Sequence, residues 1–375
     1  MKFDHPRHTP DSSGTLHQRD NETATCGMVA IANLRGEKSY DILDYALTSV
    51  CNMTHRGAVD ADMKTGDGSG ILCQIPRPLF AKAAGKFGYT GDENDLGVGV
   101  FFLPEGIAAN IKSFTESVLT RRNIQIVGWR EVPVNPEELG NLARLTQPEI
   151  THLLVSRPAD VDADHFERLL YLVRREVERE FENEAAFYIP TLSSRLISYK
   201  GLAMPATLRA FYSDLQDSDF QTGISLYHQR FSTNTFPAWP LGQPFRMMCH
   251  NGEINTVRGN RNWMRSREEF FSSELWGDDI DLVKNLMHDE ESDSASLDHA
   301  LELLVLSGRR LEHAMRMLVP PAFRHDPDIT EEERAFYNYI RSFSEPWDGP
   351  AGLTPWAGQA KWLARPQGRL CGAVL

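Results

Sequence analysis

The sequence predicts a mixed α+β fold with an inserted α/β module over residues 97–200, on three observations. Short apolar runs bounded by glycine or charged residues have the length of buried strands. Other stretches repeat apolar residues at three- and four-residue steps, the spacing of one helical face. Across 97–200 the two patterns alternate, strand then helix, as in an α/β layer packed beside a main body.

Residues 1–25 are polar and aperiodic, with Pro6, Pro10 and Gly14, and read as a propeptide or disordered leader. Order is expected from Cys26. A first strand spans 28–32 (MVAIA), and a helix spans 40–53, where Ile42, Leu43, Ala46, Leu47 and Val50 share one face. Strands follow at 70–75 and 97–103. Within the module, helices are expected at 106–121, near 137–145 and at 163–184, between strands at 124–132 (IQIVGWREV), 151–157 (THLLVSR) and 185–201. The 163–184 helix has the clearest period: Phe166, Leu169, Leu170, Val173, Val177 and Phe181 recur while Arg168, Arg174, Arg175, Glu178 and Glu180 fall elsewhere. Strands at 223–230 and 245–250 bracket a loop rich in turn residues (Pro237, Pro240, Gly242, Pro244), and helices resume at 258–271 and 294–307.

The net charge of −13 disfavours a nucleic-acid partner. No apolar run reaches the roughly 18 residues of a membrane span, and residues 1–25 lack the apolar core of a secretory signal, so a cytoplasmic protein without membrane contact is expected. The cysteines (Cys26, Cys51, Cys73, Cys249, Cys371) are scattered without a CxxC pair, against both a disulfide framework and a zinc or iron–sulfur site.

Three stretches place polar groups and glycine at strand ends, where a rigid sheet holds reacting groups in position. In TATCGMVAIA (23–32), Cys26 reads either as a small buried hydrophobe or as a nucleophile. Cleavage after Thr25 would put a thiol and a free α-amine on one residue. An amine of pKa about 7.7–8.0 beside a thiol of about 8.5 suits proton transfer at neutral pH, so the residue carries its own base. Gly27 would leave the space before the sulfur open. In HQRFSTNTFPAWPLGQPF (228–245), Arg230 precedes Ser232, Thr233, Asn234 and Thr235. It is either a surface charge or a planar fork gripping a carboxylate at two points. In His250-Asn251-Gly252-Glu253, Asn-Gly makes a hairpin turn, or else the Asn amide and the next backbone N–H point at a developing oxyanion. The Gly-rich TGDGSG (65–70) lacks the ending of a P-loop and reads as a turn lining a pocket. His55 and Arg56 read as a catalytic pair with Cys26 or, since a nucleophile with its own amine needs no histidine, as structural or substrate-loop residues, and Lys200 as a pocket-closing residue or a surface turn.

With these residues in hand, the chain resembles the class II glutamine amidotransferases, the N-terminal nucleophile group. It is most similar there to the amidotransferase domain of the glutamate synthase large subunit. The resemblance is carried by CGMVAIANL (26–34), NMTHRGAVDADMKTGDGSGIL (52–72), YHQRFSTNTFPAWPLGQPFRMMCHNGEINTVRGNRNW (227–263), ESDSASLDHALELL (291–304) and SEPWDGPA (344–351). It implies a four-layer αββα sandwich over 26–352 and an atypical tail over 353–375. Cys26 would be the nucleophile, freed by propeptide removal, and Asn251 with Gly252 the oxyanion hole. Arg230 would bind the glutamine α-carboxylate, and Asp293 the α-ammonium with Asp298 as its competitor. Ser232, Thr233 and His250 would line the substrate. Asp293 also reads as the N-cap of the following helix.

The implied reaction hydrolyses glutamine to glutamate and ammonia. In the family the ammonia meets 2-oxoglutarate on a separate FMN barrel fed by iron–sulfur clusters; no cofactor is expected on these 375 residues. Implied partners are the synthase portion of the same large subunit and a small electron-donating subunit. The closing GRLCGAVL resembles the strand before an Asp-Arg-Asn-Gly-Leu-Arg-Pro stretch of the family, so a truncated end is expected. Two alternatives stand: a catalytically silent glutamine-binding or assembly module, and an amidotransferase domain feeding another acceptor.

Overall fold

The computed structural model describes residues 27–53, 62, 64–184, 186–229, 238–349 and 351–358. The strands are β1 (Met28–Ala32), β2 (Thr65–Gln74), β3 (Leu96–Leu103), β4 (Gln125–Glu131), β5 (Glu149–Ser156), β6 (Tyr188–Ser193), β7 (Leu196–Ala203), β8 (Ile224–Gln229), β9 (Met248–Gly252) and β10 (Ala351–Pro355). The helices are α1 (Tyr40–Cys51), α2 (Arg77–Gly85), α3 (Ala108–Arg121), α4 (Asn141–Leu145), α5 (Ala163–Glu180), α6 (Pro205–Phe211), α7 (Val257–Arg267), α8 (Asp293–Leu306), α9 (Leu311–Leu318) and α10 (Glu331–Ile340).

These strands make three antiparallel sheets, ordered β1-β8-β2-β7, β10-β9 and β4-β5-β3-β6. Alternation along each strand sorts side chains into separate cores. In β2, Ile71 and Cys73 join the core built with α1, α2 and α6, whereas Leu72 between them meets Cys249 of β9 and Trp356. In β8, Tyr227 takes the helical side and Ile224 and Leu226 the other. In β9, Cys249 faces the first sheet, and Met248 faces Leu297, Ala300 and Leu301 of α8. The result is helix, sheet, sheet, helix: the four-layer αββα stack of the N-terminal nucleophile type.

The third sheet packs one face on α3 and α5 (Phe101, Leu153, Phe166, Leu170, Val173) and gives the other (Val98, Val100, Phe102, Leu154) to the core of α1, α2 and α6. Helix α5 begins where Asp162 Oδ1 accepts the His165 N–H at 2.8 Å, an N-cap. It is buried on two faces, because Tyr171 and Leu172 enter the α8 core. Its arginines therefore do not all reach solvent: Arg174 is 2% exposed.

Two local expectations change. TGDGSG is no turn but the irregular start of β2, with a register shift between Thr65 and Ser69 and Gly68 at φ +116°. Its glycines permit close approach, since a Cβ on Gly70 would lie 2.6 Å from the Gln243 carbonyl oxygen and 2.5 Å from Lys200 Cβ. Residues 185–201 are two strands in different sheets, β6 and β7. The break falls where Glu167 of α5 accepts the Ser194 N–H (2.7 Å) and hydroxyl (2.6 Å). Strand β10 runs across the expected domain border at 352/353.

Candidate active site

Strand β1 begins beside the end of β8: Met28 pairs with His228, and the Gln229 N–H donates to the Gly27 carbonyl at 2.7 Å. Gly27 is buried, and a Cβ there would collide with the Gln229 carbonyl oxygen, so close backbone contact demands the glycine. Cys26 and Arg230, the sequence neighbours of this pair, lie outside the described residues, as do Ser232, Thr233, His55 and Arg56. Met28 Sδ accepts a hydrogen bond from Thr354 Oγ1 of β10 at 3.6 Å, which brings the start of β1 against the second sheet.

Asn251 and Gly252 do not form a hairpin. They end β9, where Asn251 pairs with Gly352 and Gly252 with Ala351, a partner strand about a hundred residues away in sequence. Strand alternation puts half-buried Asn251 on the same face as Cys249, toward the first sheet. Gly252 is exposed with φ +137°, a conformation that favours glycine, and the chain then turns into α7. That turn is pinned. The Asn255 N–H donates to the Asp348 carbonyl (2.9 Å), the Asp348 N–H donates to Thr256 Oγ1 (2.9 Å), and Gly349 leaves room for the Glu253 carbonyl.

His250 faces the opposite way, toward α8, and is 1% exposed. Its Nδ1 bonds Ser294 Oγ at 2.5 Å, and the Ser294 hydroxyl donates onward to Asp293 Oδ1 at 3.1 Å. Burial lowers the His250 pKa and keeps the ring neutral, opposed by the Asp293 charge. The Gln243 side chain brackets the same residue, accepting its N–H and donating to its carbonyl, both at 2.8 Å. His250, expected as a substrate contact, is turned by strand alternation away from the Asn251 face and bonds Ser294 instead.

Asp293 is the first residue of α8; the N-cap is Ser292, whose Oγ accepts the Ala295 N–H at 3.1 Å. One Asp293 oxygen accepts the Ile254 N–H at 2.8 Å, and the other accepts the Ser294 N–H at 2.6 Å. Each oxygen has two acceptor sites; Oδ1 also takes the Ser294 hydroxyl, so capacity remains on Oδ2 for a cationic ligand. Asp298 has a different use. It is fully buried, and its two oxygens take the N–H groups of Met247 (2.8 Å) and Arg246 (3.0 Å). Burial, then Glu302, pushes its carboxyl up to about 6.

Lys200 is neither a surface turn nor exposed. It lies in β7 at 1% exposure, with Nζ donating to the Pro240 carbonyl at 2.9 Å and seated over the rings of Tyr188 (4.6 Å) and Phe245 (5.2 Å). It thereby ties β7 to the loop that leads into β9.

A buried charge network stands behind β9. Arg246 donates to Glu178 (2.6 Å), His299 Nε2 (3.0 Å) and the Ile189 carbonyl (3.1 Å), and stacks on Tyr188 at 5.1 Å. Arg174 bonds Glu178 (3.1 Å) and Glu302. Burial works against the Glu178 charge, yet Arg174, Arg246 and Arg175 hold its carboxyl down to about 2. Sequence reasoning missed this network, together with Gln243 and Ser294. Their only signal was polar residues inside otherwise strand-like and helix-like runs.

The described thiols are poor nucleophiles. Burial pushes Cys73 up to about 12 and raises Cys249 and Cys51. They do not fit an iron–sulfur cluster either: Cys73 faces the helical side of the first sheet, Cys249 the inter-sheet side, and Cys51 ends α1. Among the described residues no helix is long and apolar enough to cross a membrane.

The sequence profile described as glutamine amidotransferases class-II matches residues 26–364. A ferredoxin-dependent glutamate synthase of Pyropia yezoensis is 41% identical over 350 residues, covering 91% of this chain and 23% of that protein. The NADPH glutamate synthase large chain of Bacillus subtilis is 39% identical over 349 residues (92% and 23%), and that of Azospirillum brasilense 38% over 357 residues (94% and 23%). The chain thus spans 23% of the length of these relatives.

Proposed function

The chain belongs to the class II glutamine amidotransferases, and from that premise we propose that it releases ammonia from glutamine through a thioester on Cys26. Removal of residues 1–25 frees the Cys26 α-amine, which takes the thiol proton. The thiolate attacks the side-chain amide carbon, and the developing oxyanion is met by the Asn251 amide and the Gly252 N–H. Each such donor contributes about 2.7–4 kcal/mol at the transition state. The intermediate collapses with return of the proton to the leaving nitrogen, and ammonia departs. Water then attacks the γ-glutamyl thioester, giving glutamate and the free thiol.

In this reading Arg230 grips the substrate α-carboxylate in a bidentate pair, Ser232 and Thr233 line the same pocket, and Asp293 takes the α-ammonium. His250 acts through Ser294 on Asp293. The reading extends to a glutamate synthase large chain whose further polypeptide aminates 2-oxoglutarate with FMN and iron–sulfur clusters, assisted by an electron-donating partner, in the cytoplasm.

The observation that carries the proposal is the end of β9. Asn251 lies on the Cys249 face of β9, toward the first sheet, and the Asp293 carboxylate is bonded to the turn just beyond Gly252. Ammonia release from glutamine by the purified chain and by Cys26→Ala tests it. Loss of all turnover is expected, and turnover retained by the variant would contradict it.

A further inference from the structure

The motifs RGNRNW and ESDSAS contain buried polar groups that the proposed chemistry leaves unused. Arg261 of α7 is buried at 7% exposure, and its guanidinium serves four acceptors. Nε donates to Ser296 Oγ (2.9 Å), Nη1 to the Asp289 carbonyl (3.1 Å), and Nη2 to the carbonyls of Glu291 (2.6 Å) and Ser292 (3.3 Å). One turn later, Arg265 holds the same segment at the Met287 carbonyl (2.9 Å) and Asp289 Oδ1 (2.8 Å). The segment leads directly into Asp293, whose Oδ2 returns to the Ile254 N–H just ahead of α7. A closed ring results: the turn after Gly252, the start of α7, Arg261, residues 289–292, Asp293, and the turn again.

We propose that Arg261 is a positioning residue that fixes Asp293 relative to Asn251 and Gly252, and so sets recognition of the substrate α-ammonium. This rests on the reading of Asp293 given above. A rigid planar fork spans four acceptors at fixed angles; a lysine ammonium has three donors on a flexible stem, and methionine has none. The carbonyls released by either substitution let the 289–292 segment shift, carrying Asp293 with it.

The test measures dissociation constants of L-glutamate and glutarate, which differ only by the α-ammonium. It uses the 375-residue chain and its Asp293→Asn, Arg261→Met and Arg261→Lys variants. The ratio of the two constants reports the ammonium contact and is insensitive to the fraction of protein folded. The parent is expected to prefer L-glutamate by about tenfold or more, Asp293→Asn to show a ratio near one, and both Arg261 variants to fall within about threefold of Asp293→Asn. Should Arg261→Met not fold, Arg261→Lys decides alone. A parental ratio in an Arg261 variant, with the ratio lost in Asp293→Asn, overturns this inference and leaves the reading of Asp293 standing. A parental ratio in Asp293→Asn, or no preference in the parent, overturns that reading and the inference with it.

Discussion

The two ends of β9 are built on opposite physics. Behind Met248, Arg246 is 5% exposed and bonded to α5, β6 and α8, while fully buried Asp298 of α8 takes the backbone N–H groups of Arg246 and Met247. Ahead of His250, Asn251 is half-buried and Gly252 exposed. A buried ion network is costly to assemble and strongly penalised when one member is removed; a half-open strand end can be approached from outside. The contrast teaches that the root of this strand fixes the position of its tip, where the proposed reading puts the oxyanion donors. Donors fixed in this way need no reorganisation as charge develops.

Breaking the root should have the largest effect. Arg246→Met leaves Glu178 without one of its cations and is expected to destabilise the fold by about 3–5 kcal/mol in denaturant titration. A loss below about 1 kcal/mol would erase the contrast between root and tip. The tip is expected to behave in the reverse way. Asn251→Ala should cost about a hundredfold or more in glutaminase kcat, some 2.7–4 kcal/mol, while unfolding free energy stays within about 0.5 kcal/mol of the parent.

Asp298→Asn sharpens the root further. Its amide can accept only one of the two backbone N–H groups that the carboxylate now serves, so a loss of about 1–3 kcal/mol is expected. The acid limb gives the smallest signal. Glu178 is held at about 2 against an ordinary 4.5, so its contribution is complete above about pH 4.5 and is lost as pH falls toward 2. In Glu178→Gln the midpoint of denaturation should vary less between about pH 5 and pH 3 than in the parent. Equal slopes for the two proteins would mean that Glu178 pairs no more strongly in the folded state than in the unfolded chain.

The sequence revealed local features well where period or capping decides them. The strand at 28–32 and the helix at 163–184 follow from apolar spacing, and both stand in the structure as β1 and α5. It failed where distant parts of the chain decide. TGDGSG looked like a turn because glycine is common in turns, yet Gly70 is needed for the approach of Gln243 and Lys200 from later segments. Asn251-Gly252 looked like a hairpin because its true partner, β10, is far away in sequence. Arg246 and Gln243 carry no periodic signal, and Glu178, though spaced to meet Arg174 on its own helix, is also held by Arg246 from far along the chain, a contact that spacing does not encode. Asn251, Gly252 and Asp293 were legible as candidates from the motifs that contain them, and the structure adds the pinned turn that joins them.

The most direct test of the central claim is intact mass and N-terminal analysis of the active protein after reaction with a diazo-oxo amino acid analogue of glutamine. The account predicts a chain that begins at Cys26, carries one label on that residue and has lost ammonia release. Ammonia release from protein whose residue 26 is still joined through its nitrogen to Thr25 would contradict it.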